Sequence, residues 1–263
     1  MQQTLRTSIQ AKGVARFGTE QVLMHVHPAE ENTGIVFLLR KQSVQANLLS
    51  ACAEYGLSLQ LPDKNIRNTE KLMAAFFGMG IDNAVVELNF PEVPVMDGSA
   101  TPFVFLLKAA GVCQQSQSRR VLTVKKPVLM HQYGAWARLL PSEKLSVACL
   151  RRRGEVMDTD LRDVVVDVSR ANFESSLCHA GAARLRGLGM HECSDSLMNR
   201  RDVLGSLADL SLLQAQINGT YVGCGANRAL NLSLMKRLIS EPDAWAMYLP
   251  DQQSVSNAVA DAG

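Results

Sequence analysis

The stretch GMGIDNAVVELNFPEVPVMDGSATPF, residues 78–103, decides the fold. Its segment AVVEL, residues 84–88, is apolar at nearly every position, which predicts a strand that is at least partly covered on both faces. Pro91 ends this strand, because proline cannot donate to a central ladder. Gly98 can take a positive φ without a Cβ penalty and therefore indicates a turn. The order predicted here is strand, proline-bracketed turn and helix.

Length and composition exclude several classes of protein. The chain has 263 residues, which is enough for one large core or two ordinary ones. Its net charge of +2 is too small to indicate binding to nucleic acid or to an anionic membrane. There is no run long enough to span a membrane and no apolar leader, so we expect a cytoplasmic protein. The 6 cysteines have no paired spacing and are typical of buried thiols in a reducing compartment.

Apolar periodicity predicts the main elements. Alternating residues at 4–9 and 21–27 predict two strands of a hairpin. Apolar residues at helical spacing predict helices over residues 69–79, 199–216 and 226–240. The glycine-rich segments match no phosphate-binding loop, so they do not indicate a nucleotide site.

One family resembles this chain closely. PEVPVMDGSATPF, residues 91–103, and the preceding GIDNAVVELN, residues 80–89, are similar to the core motif of the UDP-3-O-acyl-N-acetylglucosamine deacetylases. These enzymes are the zinc amidases of lipid A biosynthesis. The resemblance continues at Thr4-Leu-Arg, in residues 13–18, in residues 28–34 and at Arg228-Ala-Leu-Asn.

The resemblance implies an α+β fold of two similar domains. Each domain is a β-sheet with helices, and the helix layers pack between the sheets. We place the N-terminal domain at 1–117 and the C-terminal domain at 120–250, because residues 114–120 are polar and turn-rich. Residues 251–263 are predicted to form a disordered tail. The segment 176–198 is shorter than its counterpart in the family, which implies a shortened insertion at the acyl-chain passage.

The resemblance also marks the site. In the family, zinc is held by a histidine that follows a glutamate, and by a histidine and an aspartate one helical turn apart. These three ligand positions fall on Lys71, Arg201 and Gly205. The family's last catalytic histidine falls on Arg228, whereas Glu70 keeps the position of the general base.

These substitutions predict that the chain binds no zinc and no other cofactor. They also predict that the protein is not an enzyme. In this interpretation it is a catalytically inactive homologue, a binding or regulatory protein linked to envelope or lipid A biosynthesis through an unidentified protein partner. The alternative is an enzyme with altered, metal-independent chemistry on a UDP-sugar or another anionic ligand in the same cleft.

Three cations define a candidate anion site. If the fold holds, Lys71, Arg201 and Arg228 converge and can bind phosphate, a carboxylate or a UDP-sugar. The alternative is three solvated charges with no ligand. Glycine in a helix interior costs about 1 kcal/mol relative to alanine. Gly205 therefore predicts that the side chain of Arg201 or Arg228 lies across it and fills the cleft.

Two further clusters contain metal-ligating side chains. His25 and His27 are two residues apart on one strand face, which lets them share a metal; the alternative is a half-exposed strand face with no ligand. The second cluster fits no common zinc spacing, and its alternative is buried thiols with surface histidines. It consists of Cys178, His179, His191 and Cys193. Neither cluster coincides with the positions at which the resemblance places catalysis.

Overall fold

The structure is a computed structural model that describes residues 1–16, 18–150, 165–180 and 194–250, with only the backbone described for residues 194–200. In its first half, strands β1–β10 are Gln3–Leu5, Ile9–Val14, Gln21–Pro28, Ile35–Leu39, Gln42–Gln45, Ala51–Cys52, Ser58–Gln60, Asn65–Ile66, Ala84–Leu88 and Val112–Gln114. Strands β11–β18 are Val121–Val124, Val128–Gln132, Ala135–Leu140, Ser146–Leu150, Val165–Asp167, Gln216–Asn218, Thr220–Cys224 and Trp245–Tyr248. Helices α1–α5 are Glu70–Met79, Thr101–Ala110, Arg170–Ser175, Ser194–Leu210 and Arg228–Ser240.

Two five-stranded sheets repeat one topology. The N-terminal sheet has the order β2-β3-β9-β4-β5, and the C-terminal sheet has the order β12-β13-β17-β14-β15. In each sheet one central pair is parallel, β9 with β4 and β17 with β14, and the other neighbours are antiparallel. The predicted α+β class, with two similar sheet-and-helix units, is confirmed.

The helices form the layers between the sheets. Helix α1 packs against α2, α3 and α4, and α4 packs in turn against α5. The face of α1 that enters the core carries Leu72, Phe76 and Met79, all at most 1% exposed. Burying one such side chain contributes roughly 1.5–3 kcal/mol, so this contact between layers is a major source of stability.

The stretch over residues 78–103 folds largely as predicted. Strand β9 ends at Leu88, Gly98 has a φ of 83°, and α2 starts at Thr101. The predicted strand over residues 4–9 is wrong in extent, because β1 ends at Leu5 and the hairpin is formed by β2 with β3. Strand β1 pairs instead with β10.

Three smaller sheets complete the described part of the chain. Strands β6-β7-β8 form one, β16-β11-β18 another, and β1-β10 the third. The proposed domain boundary at residues 114–120 runs from the last residue of β10 to the residue before β11 and stays a prediction, as do the domain limits. The tail at 251–263 lies outside the described residues. Within the described residues, no helix combines the length and the apolar character that a membrane crossing requires.

Candidate active site

Helix α1 presents a carboxylate and an ammonium group at its first turn. Thr69, fully buried before the helix, donates its hydroxyl to the carbonyl oxygen of Leu57 at 2.8 Å and fixes this end of α1. Glu70 opens the helix, where the partial positive charge of the amide groups favours a carboxylate. The Nζ of Lys71 lies 3.0 Å from Oε1 of Glu70. The two neighbours in sequence therefore form an ion pair at the helix start.

Arg228 joins this pair to the second half of the chain. Its Nη1 lies 2.8 Å from Oε2 of Glu70, and its Nε lies 2.6 Å from Oδ1 of Asp209. Arg228 is the first residue of α5, a position at which the helix dipole disfavours a cation. The two carboxylates offset that cost. They also bridge α1 to α4 and α5 through one guanidinium group.

The network continues into the C-terminal sheet. Asn231 donates its Nδ2 to Oδ2 of Asp209 at 2.8 Å, and the hydroxyl of Tyr221 donates to Oδ1 of Asn231 at 2.6 Å. The sequence analysis missed Asp209 as a functional residue. A signal was available, because Asp209 follows Gly205 by one helical turn and so shares its face. Nothing in the sequence pattern indicates that Tyr221 joins the network.

The charges of the network set its protonation states. Burial alone would raise the pKa of Glu70, but Lys71 and Arg228 outweigh burial and hold that pKa at about 2. Burial raises the pKa of Asp209 above its usual range, although Arg228 and Asn231 act against it. Burial would lower the pKa of Arg228, but the two carboxylates raise it. Glu70 is therefore a carboxylate throughout the physiological range.

The predicted site residues meet in one cleft. A cavity of about 410 Å³ is lined by Glu70, Lys71, Arg201, Gly205 and Arg228, together with Asp209 and its neighbours. Arg201 is exposed and has no ion pair with any described residue, whereas Lys71 and Arg228 are both paired with Glu70. The three cations thus share a cleft, and carboxylates compensate two of them. The prediction that this anion site binds a ligand stays a prediction.

A loop and a helix glycine shape the cleft. A Cβ on Gly56 would stand 3.4 Å from Oε2 of Glu70, which is an ordinary contact, whereas its φ of 100° favours glycine. A Cβ on Gly205 would stand 3.7 Å from Nη2 of Arg228. The prediction that a long side chain lies across Gly205 is confirmed for Arg228. The prediction that it fills the cleft is wrong, because the guanidinium group turns toward Glu70 and Asp209 and leaves open volume beside it.

The side chains to which the resemblance assigns the family's ligand positions do not fit a zinc ion. Lys71 and Arg201 offer only hydrogen-bond donors when charged, and Gly205 offers no side-chain atom. The two carboxylates nearby, partly exposed Glu70 and buried Asp209, already accept from the guanidinium group of Arg228. A dication between them would have to displace this cation. We therefore assign no role to zinc in this cleft.

Cysteine chemistry in the cleft is also disfavoured. Cys149 lines the cleft, and burial raises the pKa of its thiol to about 12, so the thiol is neutral. Cys178 is buried, and burial raises its pKa as well. The neighbouring His179 shares a hydrogen bond of 3.0 Å with the hydroxyl of Thr101 through Nδ1. His191 and Cys193, the other half of that predicted cluster, lie outside the described residues.

A second cavity lies elsewhere between the two halves. It has a volume of about 570 Å³, and Phe76, Asp82 and Arg119 are among the residues that line it. Arg119 and Asp82 form an ion pair of 2.7 Å in its wall. None of the predicted site residues that the structure describes lines this cavity, so the cleft at Glu70 remains the candidate active site.

The fold and the cleft define a class of protein, namely a duplicated α+β chain with a charged cleft lined by helices from both of its halves. The model of the family "LpxC: UDP-3-O-acyl N-acetylglycosamine deacetylase" matches residues 2–188. Since the match covers well over half of the chain, the protein belongs to this family.

Curated relatives agree with the family match. UDP-3-O-acyl-N-acetylglucosamine deacetylase from Acidithiobacillus ferrooxidans is 33% identical over 93% of this chain and 91% of its own length. The proteins of the same name from Nitrosococcus oceani and Chromohalobacter salexigens are 32% and 31% identical, and each alignment covers 93% of this chain and 91–92% of the relative.

These comparisons contradict the prediction that the chain is not an enzyme. Relatives about 30% identical over more than nine tenths of its length are named as deacetylases. The prediction rested on the side chains at Lys71, Arg201, Gly205 and Arg228 and on the shortened segment at residues 176–198. A change of side chain at those positions alters what the cleft can bind, but it does not by itself decide whether the cleft is catalytic.

Proposed function

We propose that the protein is an enzyme that acts on a UDP-linked, N-acylated amino sugar in the cleft at Glu70, through chemistry that needs no zinc at the family's ligand positions. The observation that supports it best is an ionised, largely buried carboxylate at the position of the family's general base. Glu70 lines an open cleft, with two cations within 3.0 Å of its oxygens. The resemblance connects this activity with lipid A biosynthesis.

The proposed reaction is hydrolysis of the N-acyl bond. The oxygen of a water molecule bonds to the acyl carbonyl carbon while Glu70 takes one of the water protons. The C–N bond then breaks, and the amine leaves with the proton that Glu70 returns. Lys71 and Arg228 are positive groups beside this carboxylate and favour the negative charge that develops on the carbonyl oxygen.

In this proposal the negative charge of the substrate also raises the basicity of Glu70. With a pKa of about 2, Glu70 is a weak base as long as both Lys71 and Arg228 hold it. A pyrophosphate group that binds Arg201 and draws Lys71 toward it weakens that hold, and the basicity of Glu70 then rises. Binding of the pyrophosphate end of the substrate would in this way make Glu70 a better base for hydrolysis of the N-acyl group.

We also propose a cytoplasmic location. The five cysteines in the described part of the chain are free, as expected of a reducing compartment: Cys52, Cys113, Cys149, Cys178 and Cys224. No feature of the described surface identifies a protein partner, so a regulatory role through such a partner enters only as an outcome of the experiment below.

The decisive experiment measures turnover of UDP-3-O-acyl-N-acetylglucosamine in the presence of a metal chelator, with free amine and acetate as products. We expect turnover in the unmodified protein and a loss of about 10²–10⁴-fold in Glu70→Gln, because that variant keeps the shape of the side chain and loses the base. Glu241→Gln, at an exposed carboxylate beyond α5, is the matched control and should keep full activity.

A binding measurement separates the remaining outcomes. UDP should raise the melting temperature, and Arg201→Ala should abolish the shift, whereas Arg237→Ala on the outer side of α5 should not. Binding without turnover would overturn the catalytic proposal and leave a binding protein. If neither turnover nor binding occurs, the cleft is not the functional site, and a partner interface on the outer surface becomes the next candidate.

A further inference from the structure

Two histidines and a glutamate meet on the outer face of the N-terminal sheet. His25 and His27 lie two residues apart on β3 and so point to the same side of the sheet. Glu87 on β9 is paired with His25 in the strand register. The three side chains each offer a ligand atom, and these atoms all lie within 4.8 Å of one another. One such pair is Nε2 of His27 and Oε2 of Glu87, 3.5 Å apart.

This cluster is separate from the cleft. Met24 and Val26, which alternate with the histidines along β3, are both 1% exposed and belong to the core beneath the sheet. The histidines must therefore project from the opposite face. The side chains of His27 and Glu87 are 38% and 52% exposed, which leaves a route for an ion from solvent. The inference below does not depend on the function proposed for Glu70.

Hydrogen bonding orients one imidazole for ligation. Oγ of Ser8 lies 3.0 Å from Nδ1 of His27. In the tautomer whose Nδ1–H donates to Ser8, the lone pair of Nε2 is free on the side of Glu87. Metal-binding histidines commonly donate their second ring nitrogen in this way, because the bond fixes both tautomer and ring orientation.

The second imidazole carries an unexplained polar atom. Nε2 of His25 is buried and has no hydrogen-bond partner among the described residues. Buried nitrogen atoms without a partner are uncommon, since desolvation without a compensating bond costs free energy. A metal ion bound at this nitrogen would supply the missing partner. The ring centroids of His25 and His27 lie 5.9 Å apart, with planes nearly perpendicular, so both rings can turn a nitrogen toward one point.

We propose that His25, His27 and Glu87 bind a divalent transition-metal ion of the Zn²⁺ type. Two imidazoles and one carboxylate are a common protein ligand set for zinc, and they leave one tetrahedral position for water. Zinc-bound nitrogen and oxygen atoms lie about 3.3 Å apart, as follows from bonds of about 2.0–2.1 Å at tetrahedral angles. The exposed Glu87 side chain closes the remaining gap by rotating. The ion would connect β3 with β9.

Equilibrium dialysis and calorimetry with Zn²⁺ test this site, with Co²⁺ absorption as an independent report of the ligand geometry. The protein is kept reduced in a Cys113→Ser background, so that this exposed free thiol does not compete for zinc. We expect one ion per chain. Ser8→Ala should weaken binding by about 10-fold, since it removes only the hydrogen bond that orients His27.

Variants of the ligands should have larger effects. We expect His25→Gln, His27→Gln and Glu87→Gln each to weaken binding by more than about 10–100-fold, the range for loss of an orienting partner. His131→Gln, at an exposed histidine on β12, is the matched control and should bind as the parent does. Zinc bound equally well by His25→Gln and His27→Gln would belong elsewhere and would overturn the proposal. So would the absence of binding to the parent protein, or a tetrahedral cobalt spectrum that persists in the double histidine variant.

Discussion

Arg228 lies against Gly205: its Nη2 is 3.7 Å from the point at which a Cβ on Gly205 would stand. The two residues occupy positions to which the family resemblance assigns a histidine and a zinc-binding aspartate. Here a guanidinium group and the space beside a glycine take their place. A separation of 3.7 Å is an ordinary van der Waals contact. A side chain as small as that of alanine would therefore fit at position 205 without a clash with Arg228.

The first prediction concerns this glycine. Gly205→Ala should stabilise the protein by up to about 1 kcal/mol, because alanine is the better helix former and its methyl group fits beside Arg228. Gly205→Leu should destabilise by about 1–3 kcal/mol, because the larger side chain must displace the guanidinium group. Urea unfolding measures both changes. The matched control is Gly78→Ala in α1, where a Cβ would clash with the ring of Phe173, so stability should fall.

Arg228 should be far more important to stability than an exposed arginine on the same helix. Arg228→Ala should cost about 3–5 kcal/mol, because it leaves the buried carboxylate of Asp209 without a counter-ion and Glu70 with Lys71 alone. Arg237→Ala removes the exposed pair with Glu241 and a hydrogen bond from Nη1 to the carbonyl oxygen of Leu129, and should cost about 1 kcal/mol. Denaturant unfolding of both variants decides the matter. Equal costs would show that the buried network contributes no more than a surface ion pair.

Acid should erase the contribution of Glu70. Its pKa is lowered from 4.5 to about 2 in the folded protein, so its stabilising effect is fully present above pH 4.5 and is lost as pH falls toward 2. The shift corresponds to on the order of 3 kcal/mol at neutral pH. Glu70→Gln should therefore melt well below the parent at pH 7, and the two melting curves should converge near pH 2. A gap of constant size would contradict the assignment.

Metal removal should leave the cleft unaffected. Because Lys71, Arg201 and Gly205 offer no suitable ligand atom, a chelator should change neither turnover of the acylated UDP-sugar nor binding of UDP. The same assays with added Zn²⁺ should give the same values. Activity that disappears on chelation and returns with zinc would show that a metal site exists in the cleft after all. His25→Gln serves as a control, since it removes any effect of an ion bound on the outer face.

Cysteine reactivity should follow burial. Cys149 lines the cleft, but its pKa is raised to about 12, so alkylation of the native protein at pH 8 should be slow. Cys113, which is exposed, should react first. Mass spectrometry of peptides over a time course distinguishes the two. Rapid modification of Cys149 would show that the cleft opens more widely than the structure indicates.

Local sequence signals predicted much of the fold for physical reasons. Residues 84–88 are apolar and are followed by Pro91, and they form a strand that ends at Leu88. Gly98 has the positive φ that its turn requires. The strand predicted over residues 4–9 failed, because a run of alternating residues does not reveal that the chain changes its pairing partner after Leu5.

The site was predictable only in part. The resemblance located Glu70 and Arg228, but a residue's position in a motif does not reveal the partner of its side chain. The two ion pairs of Arg228 depend on how α1, α4 and α5 pack, which is a long-range property. The one-turn spacing from Gly205 indicated that Asp209 faces the site, but no sequence pattern indicated its contact with Asn231. The sequence predicted the histidine pair on β3. It did not predict Glu87 as a neighbour, because that contact depends on the register between β3 and β9.

The repeated topology has a consequence for the cleft. In each half, the connection between the two parallel strands contains a long helix, α1 in the first half and α4 in the second, and these equivalent helices touch each other. Glu70 and Lys71 come from one repeat, and Asp209 and Arg228 from the other. The site is thus built like a subunit interface inside a single chain. A substitution that tilts one repeat against the other will change the distance between these charges without altering any residue that lines the cleft.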